Sequence, residues 1–203
     1  MRLKLIFFIV LAMFIKFSDA QTFGIKGGMN IASMSFSSSG FDVSPKSIIG
    51  VHIGPVAEFK LQESLSFNTG LLYSLKGYKM KVDYMGETME GTSKINYLEI
   101  PMNFAYKFAT SETSNFLVQA GPYLGYAMSG KDKTDGETSD VEFGDGGMRR
   151  VDFGLGIGLG LEFGPLVPTV SYQFGLANLS GISEMKVKNN AFMISIAYMF
   201  GKQ

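Results

Sequence analysis

The chain has 203 residues, a length that fits one domain, and its 18 basic and 18 acidic residues balance, so no global field points to nucleic acid. Although 46% of the residues are hydrophobic, no apolar run of about 18 residues occurs past the N-terminus, which excludes helical membrane spans. Cysteine is absent, which excludes disulfides, thiol catalysis, iron–sulfur ligation and a lipidated N-terminal cysteine.

Residues 1–20 read as a signal peptide. Arg2 and Lys4 give a positive start, Leu5 to Ile15 an apolar core, and Ser18, Asp19 and Ala20 a small-residue cleavage site before Gln21. Cleavage takes away Arg2, Lys4, Lys16 and Asp19 and leaves 15 basic and 17 acidic residues in the expected mature domain, 21–203.

From Gln21 onward the apolar residues alternate, and eight strands can be laid down. The first, about Phe23 to Ile31, sets Phe23, Ile25, Met29 and Ile31 against Gly24, Lys26, Gly28 and Asn30. After a serine-rich loop through Ser33 to Lys46, the second, Ile49 to Lys60, sets Val51, Ile53, Pro55, Ala57 and Phe59 against His52, Gly54, Glu58 and Lys60. The third, Leu65 to Gly77, carries Ser66, Asn68, Gly70, Ser74 and Lys76 on its polar face, and a longer loop from Tyr84 to Ser93 follows. The fourth, Ile95 to Phe108, opposes Leu98, Ile100, Met102, Phe104, Tyr106 and Phe108 to Tyr97, Glu99, Pro101, Asn103 and Lys107. The fifth, Phe116 to Ser129, turns Gln119, Gly121, Tyr123 and Gly125 to that same face. An acidic, glycine-rich loop spans Gly130 to Gly147.

The sixth strand carries the clearest signal. Arg150 to Gly164 places Val151, Phe153, Leu155, Ile157, Leu159, Leu161 and Phe163 on one parity. The other parity is glycine at 154, 156, 158, 160 and 164, with Asp152 and Glu162 towards the ends. A soluble sheet face that buries a core needs bulk opposite it, and the glycine face offers none. Hydrocarbon against the large side chains and a crowded interior against the glycines explain both parities, as in a strand of a transmembrane barrel. A soluble lipocalin-like barrel has the reverse arrangement. Two further strands, Leu166 to Leu176 and Ala191 to Phe200, complete the set. The connections alternate long and short, as periplasmic turns and extracellular loops do in outer-membrane barrels. The expected fold is therefore all-β: an eight-stranded antiparallel up-and-down transmembrane β-barrel. Pro55, Pro101, Pro122 and Pro168 fall inside these strands and should break the ladder locally, because proline has no N–H to donate.

Tyr97-Leu98-Glu99-Ile100-Pro101 and Gln119-Ala120-Gly121-Pro122-Tyr123, with Gly24-Ile25-Lys26-Gly27-Gly28 near the start, resemble the small outer-membrane barrels called "porin family" or PorT-like proteins. The resemblance covers the mature chain and implies an eight-stranded barrel in the Gram-negative outer membrane. Some relatives are tied to secretion machinery. The chain ends Tyr198-Met199-Phe200-Gly201-Lys202-Gln203, where many such barrels finish on an aromatic residue.

Inward charges are the candidate site. Alternating the strand directions places Lys26, Glu58, Lys60, Lys107 and Glu162 near the periplasmic end and His52, Lys76, Arg150 and Asp152 near the outer end, with Glu99 between. Mixed signs at one depth point to interior salt bridges, because an unpaired buried charge is costly. A polar plug and a selective constriction are the two readings of this set. His52 is the single histidine, so imidazole catalysis would have to use it, with a partner in hydrogen-bond reach. The acidic loop (Asp132, Asp135, Glu137, Asp140, Glu142 and Asp145) has oxygens enough for calcium, but not the EF-hand spacing. The glycines at 154, 156 and 158 continue every second residue within a strand, so they form no nucleotide fingerprint. The sequence points to no catalytic residue, cofactor or metal. It points to a structural anchor or interaction module in outer-membrane lipid, with envelope or secretion-machinery proteins as partners, or alternatively to a narrow porin for small solutes or ions.

Overall fold

The computed structural model describes residues 21–202 except 39, 40, 44, 85, 86, 112, 113, 135, 145 and 183. The expected signal peptide lies outside the described residues. The strands are β1 (Gln21–Ser38), β2 (Phe41–Val43), β3 (Lys46–Lys60), β4 (Leu65–Gly70), β5 (Leu72–Tyr84), β6 (Glu87–Ser111), β7 (Ser114–Thr134), β8 (Glu137–Asp140), β9 (Val151–Phe163), β10 (Leu166–Gly175) and β11 (Met185–Met199).

The sheet closes on itself through β1. Along one edge β1 pairs with β3, from Gln21 opposite Phe59 to Ala32 opposite Ile48. Along the other it pairs with β11, from Gly24 opposite Met199 to Ser38 opposite Met185. Between them the order runs β3, then β4 with β5, then β6, β7, β9, β10 and β11. Strands β4 and β5 are two halves of one stave parted at Leu71, so eight antiparallel staves form the ring. Closure leaves no open edge, which is what a sheet needs to stand in hydrocarbon.

Prolines interrupt the ladder on one flank each. The β3 ladder skips at Pro55, where Leu71 N–H instead donates to the Pro55 carbonyl at 3.0 Å. Pro101 is unpaired towards β4 and β5 but stands opposite Tyr123 on β7. Pro122 is skipped by β6 yet pairs with Leu155, and Pro168 is skipped by β9 yet pairs with Ile196. In an antiparallel strand one residue's N–H and C=O point to the same neighbour, so a proline damages one flank and spares the other.

The bulky parity faces outward. On β9, Leu155, Ile157 and Leu159 are each about half exposed (51%, 53% and 45%), whereas Gly154, Gly158 and Gly160 are buried. The interior opposite the glycines is full. A Cβ on Gly158 would come 2.8 Å from Ser171 Cβ, and one on Gly160 would come 2.7 Å from Thr169 Cγ2. Outward aromatic rings cluster at the short-turn end, with centroids 5.3 Å apart for Phe67–Phe104, 4.8 Å for Tyr106–Phe108 and 5.6 Å for Tyr198–Phe200. Such girdles sit at membrane interfaces.

Two expectations need correction. The long connections are largely strand: β5 and β6 continue upward as one hairpin from Leu72 opposite Glu99 to Tyr84 opposite Glu87, and β7 continues to Thr134 and folds back on β8. Towards their tips these extensions carry charged residues in place of apolar alternation, and cross-strand pairs such as exposed Lys81–Glu90 support them. The lumen is also not lined solely by small and charged residues. Buried Leu117, Val167 and Met199 make an apolar layer near the short-turn end, and Met34, Ile95, Tyr97, Leu179 and Val187 make another at the loop end.

Candidate functional site

The inward residues form charged layers separated by these apolar ones. Nearest the short turns, β3 supplies Glu58, β6 Lys107 and β9 Glu162, each on its strand's inward parity. Lys107 Nζ lies 2.8 Å from Glu58 Oε1 and 2.7 Å from Glu162 Oε2. Lys202, beyond the last strand, reaches back into the same mouth, 3.0 Å from Glu58 Oε1 and 2.5 Å from Glu162 Oε2. Asn115 Nδ2 donates to Glu162 Oε1 at 3.1 Å. Two ammoniums and two carboxylates thus close one end. The side chains keep 12–15% of their exposure.

Higher in the barrel, charges are dry. Lys76 Nζ is 2.5 Å from Glu99 Oε2, both side chains being 1% exposed, and also donates to Gln173 Oε1 at 2.8 Å. Gln173 Nε2 closes the triangle on Glu99 Oε1 at 2.6 Å. The ammonium lies 4.7 Å from the centroid of the Tyr123 ring, a cation–π distance. Asp152 is fully buried; its Oδ2 accepts from Asn189 Nδ2 at 2.9 Å and from the Tyr123 hydroxyl at 3.3 Å. Asn189 donates as well to the Tyr97 hydroxyl at 3.0 Å. A buried ion pair costs desolvation, and it persists where hydrogen bonds satisfy the remaining lone pairs, as Gln173 does here.

His52 sits beside this layer on its own chain of bonds. Asn30 Nδ2 points at acceptors only, the carbonyls of Val51 and Leu75, together with Ser74 Oγ at 3.0 Å. Its Oδ1 must therefore face His52 Nδ1, 2.7 Å away, which makes Nδ1 the donor and leaves Nε2 to accept from Ser195 Oγ at 2.8 Å. The connectivity Ser195–His52–Asn30 is that of a nucleophilic relay. All three are buried at 5% exposure or less, however, and neither His52 nor Ser195 lines the lumen cavities described below. Among the described residues this chain of bonds ties β1, β3 and β11 together across the interior.

Lys26 lines two small cavities, about 60 and 30 Å³, with Gln119 and Asn103 on both and Thr169 on the larger. Spaces of this size hold a few waters. Its ammonium makes no hydrogen bond or ion pair with the described residues, and Glu99 lines the smaller cavity with it.

Of the ten residues picked out by inward parity, the structure gathers Glu58, Lys107 and Glu162 in one cluster and Lys76, Glu99 and Asp152 in another, with His52 and Lys26 alongside. Two lie elsewhere. Lys60 is exposed at the end of β3, one residue past the reach of the lumen. Arg150 precedes β9 and turns away from the interior: Nη1 donates to the carbonyls of Ala127 and Met128 at 2.8 and 3.1 Å, and the guanidinium stacks 4.1 Å from the Phe143 centroid. Strand parity missed Lys202 because Gly201, at a φ of +78°, turns the chain inward after the last ladder residue. In the acidic loop, Lys131 pairs with Asp140 at 2.6 Å, while Asp135 and Asp145 lie outside the described residues.

An outward apolar belt on a closed ring of staves, with the charges at the level of the belt turned inside, defines a membrane-spanning β-barrel. The chain belongs to the outer membrane protein beta-barrel domain family, whose description matches residues 19–181. Among solved structures, it is similar to Ail, the attachment invasion locus protein of Yersinia pestis (18% identity over 90% of this chain and 100% of that one, TM-score 0.40). It is similar also to Neisserial surface protein A (15%, 90% and 100%, TM-score 0.49) and to OprG of Pseudomonas aeruginosa (13%, 89% and 96%, TM-score 0.49). No curated protein matches it.

Proposed function

We propose that this outer-membrane barrel is a non-enzymatic, PorT-like structural anchor or interaction module. It is exported by a cleaved signal peptide at residues 1–20 and presents its loops to an envelope or secretion-machinery partner. The observation that carries this reading is the stacking of the lumen: the Glu58–Lys107–Glu162–Lys202 cluster, an apolar layer, the Lys76–Glu99–Gln173 triangle and a second apolar layer. Four lysines (26, 76, 107 and 202) stand against four carboxylates (58, 99, 152 and 162), so neither sign dominates the interior by residue count. An eight-strand ring is just wide enough for side chains to fill it.

The test is planar-bilayer conductance of the refolded chain. The reading predicts a silent bilayer. Steady single-channel openings would replace it with the narrow-porin reading. Mass analysis of the protein from cells addresses the leader: the proposal requires a mature chain that begins at Gln21.

A further inference from the structure

Above the upper apolar layer, the extended hairpins border an open cavity of about 450 Å³ at the loop end, within the usual range for small-molecule sites of roughly 300–1,000 Å³. Part of its wall is apolar and adaptable, with Phe36, Tyr78, Met148, Met185 and Leu179, and the rest carries serines and carboxylates. Phe36 and Tyr78 meet edge to face with centroids 4.9 Å apart. Among its polar groups one carboxylate oxygen lacks a partner. Asp132 lines the cavity, and its Oδ1 is buried with no hydrogen-bond partner. A carboxylate oxygen left unpaired in a half-buried side chain is costly, and a water or a ligand's donor satisfies it.

The surrounding charges are sorted by sign. Lys131 and Lys133 flank Asp132 on β7 and are exposed on the opposite parity, Lys131 being held by Asp140. Asp140 and Glu142 also line the cavity, and among the described residues no lysine or arginine does. Tyr78 on β5 and Asp132 on β7 stand on either side of Ser93 of β6 and line the cavity together, and burial and the Asp132 charge push the Tyr78 phenol up. From this geometry we propose that the vestibule is a binding site for a small organic cation with an apolar body, an aryl- or alkyl-ammonium. The ammonium would pair with Asp132 beside the Tyr78 ring, and the hydrocarbon would lie among the methionines. A carboxylate next to π-faces favours a cation over a neutral molecule of the same shape. Below the cavity Tyr97 is fully buried and tied to Asn189, so the site has a floor. The inference deepens the interaction-module reading: the ligand is held and not passed.

The experiment uses the full chain in phospholipid nanodiscs. Equilibrium dialysis compares 4-phenylbutylammonium with its neutral analogue 4-phenylbutanol, each corrected by empty nanodiscs, and methionine methyl NMR locates the bound probe. We expect the ammonium to bind about tenfold more tightly than the alcohol. Asp132→Asn should reduce it to the alcohol's affinity and leave the alcohol unchanged. Met148→Trp, which fills the cavity, should abolish both and serves if Asp132→Asn does not refold. Equal affinity for the two probes, no effect of Asp132→Asn, binding unaltered by Met148→Trp, or no uptake above empty nanodiscs each overturns the proposal. Conductance is scored separately. An open channel with selective ammonium binding refutes the sealed lumen and keeps the site; a silent bilayer without binding does the reverse.

Discussion

The two charge clusters of the lumen use the same residue types in opposite surroundings. At the short-turn mouth, Lys107 and Lys202 share Glu58 and Glu162 in a square that water still touches at 12–15% exposure. In mid-barrel, Lys76 and Glu99 are at 1%, with Gln173 bridging them. Partial solvation screens the first cluster, so one partner can leave and water can replace it. The second has no such reserve, because desolvation has already been incurred and only the pairing offsets it. The mouth is a closure, and the mid-barrel triangle is a keystone.

Breaking the keystone should therefore have the largest effect. Lys76→Met strands Glu99, and urea unfolding of the protein refolded into lipid vesicles should show a loss of about 3–5 kcal/mol. The double variant Lys76→Met/Glu99→Leu should recover much of it. An undiminished stability in the single variant would mean that water reaches this layer.

Packing around the keystone is sharpened by two glycines of β9. Gly158→Ala drives a methyl into Ser171 Cβ and Gln119 Nε2, at 2.8 and 3.1 Å, and should cost about 1–3 kcal/mol in the same titration. Gly156→Ala meets nothing nearer than 3.7 Å, beside the smaller cavity, and should cost far less. Equal costs would remove the distinction between a filled and a hollow level.

At the mouth, Lys202→Ala leaves two carboxylates on Lys107 alone. The expected loss is roughly 1–2 kcal/mol, the worth of charged hydrogen bonds discounted for solvent. The bilayer should stay silent, since the layers above remain. Conductance appearing on this change alone would make the tail the true seal.

The smallest effect lies outside the membrane. Lys81 holds the Glu90 carboxyl below the usual glutamate range, through a hydrogen bond and its charge. A carboxyl lowered in the folded state adds stability above its unfolded value and loses it as pH falls through the folded one. NMR titration should show Glu90 protonating below ordinary glutamates, and Lys81→Ala should restore the ordinary range without measurable unfolding.

Strand parity made much of this legible. It placed Glu58, Lys76, Glu99, Lys107, Asp152 and Glu162 on inward faces, because the side-chain period of two is a local property of the backbone. It also marked the four prolines as ladder faults, although which flank each one damages depends on the neighbouring stave. It failed for Lys60 and Arg150, which lie at strand ends where parity no longer says what is inside.

By itself the amino-acid order determined the barrel, its eight staves and which side of each stave meets lipid, since alternation and the lack of helical spans are written residue by residue. Only the folded ring decided which charges meet. Lys202 joins Glu58 across 144 positions, and His52 joins Ser195 across 143. Asp132 and Tyr78 share one cavity, 54 positions apart in the chain. Pairings of that kind are set by closure and register, which depend on staves far apart in the chain, and no local pattern encodes them.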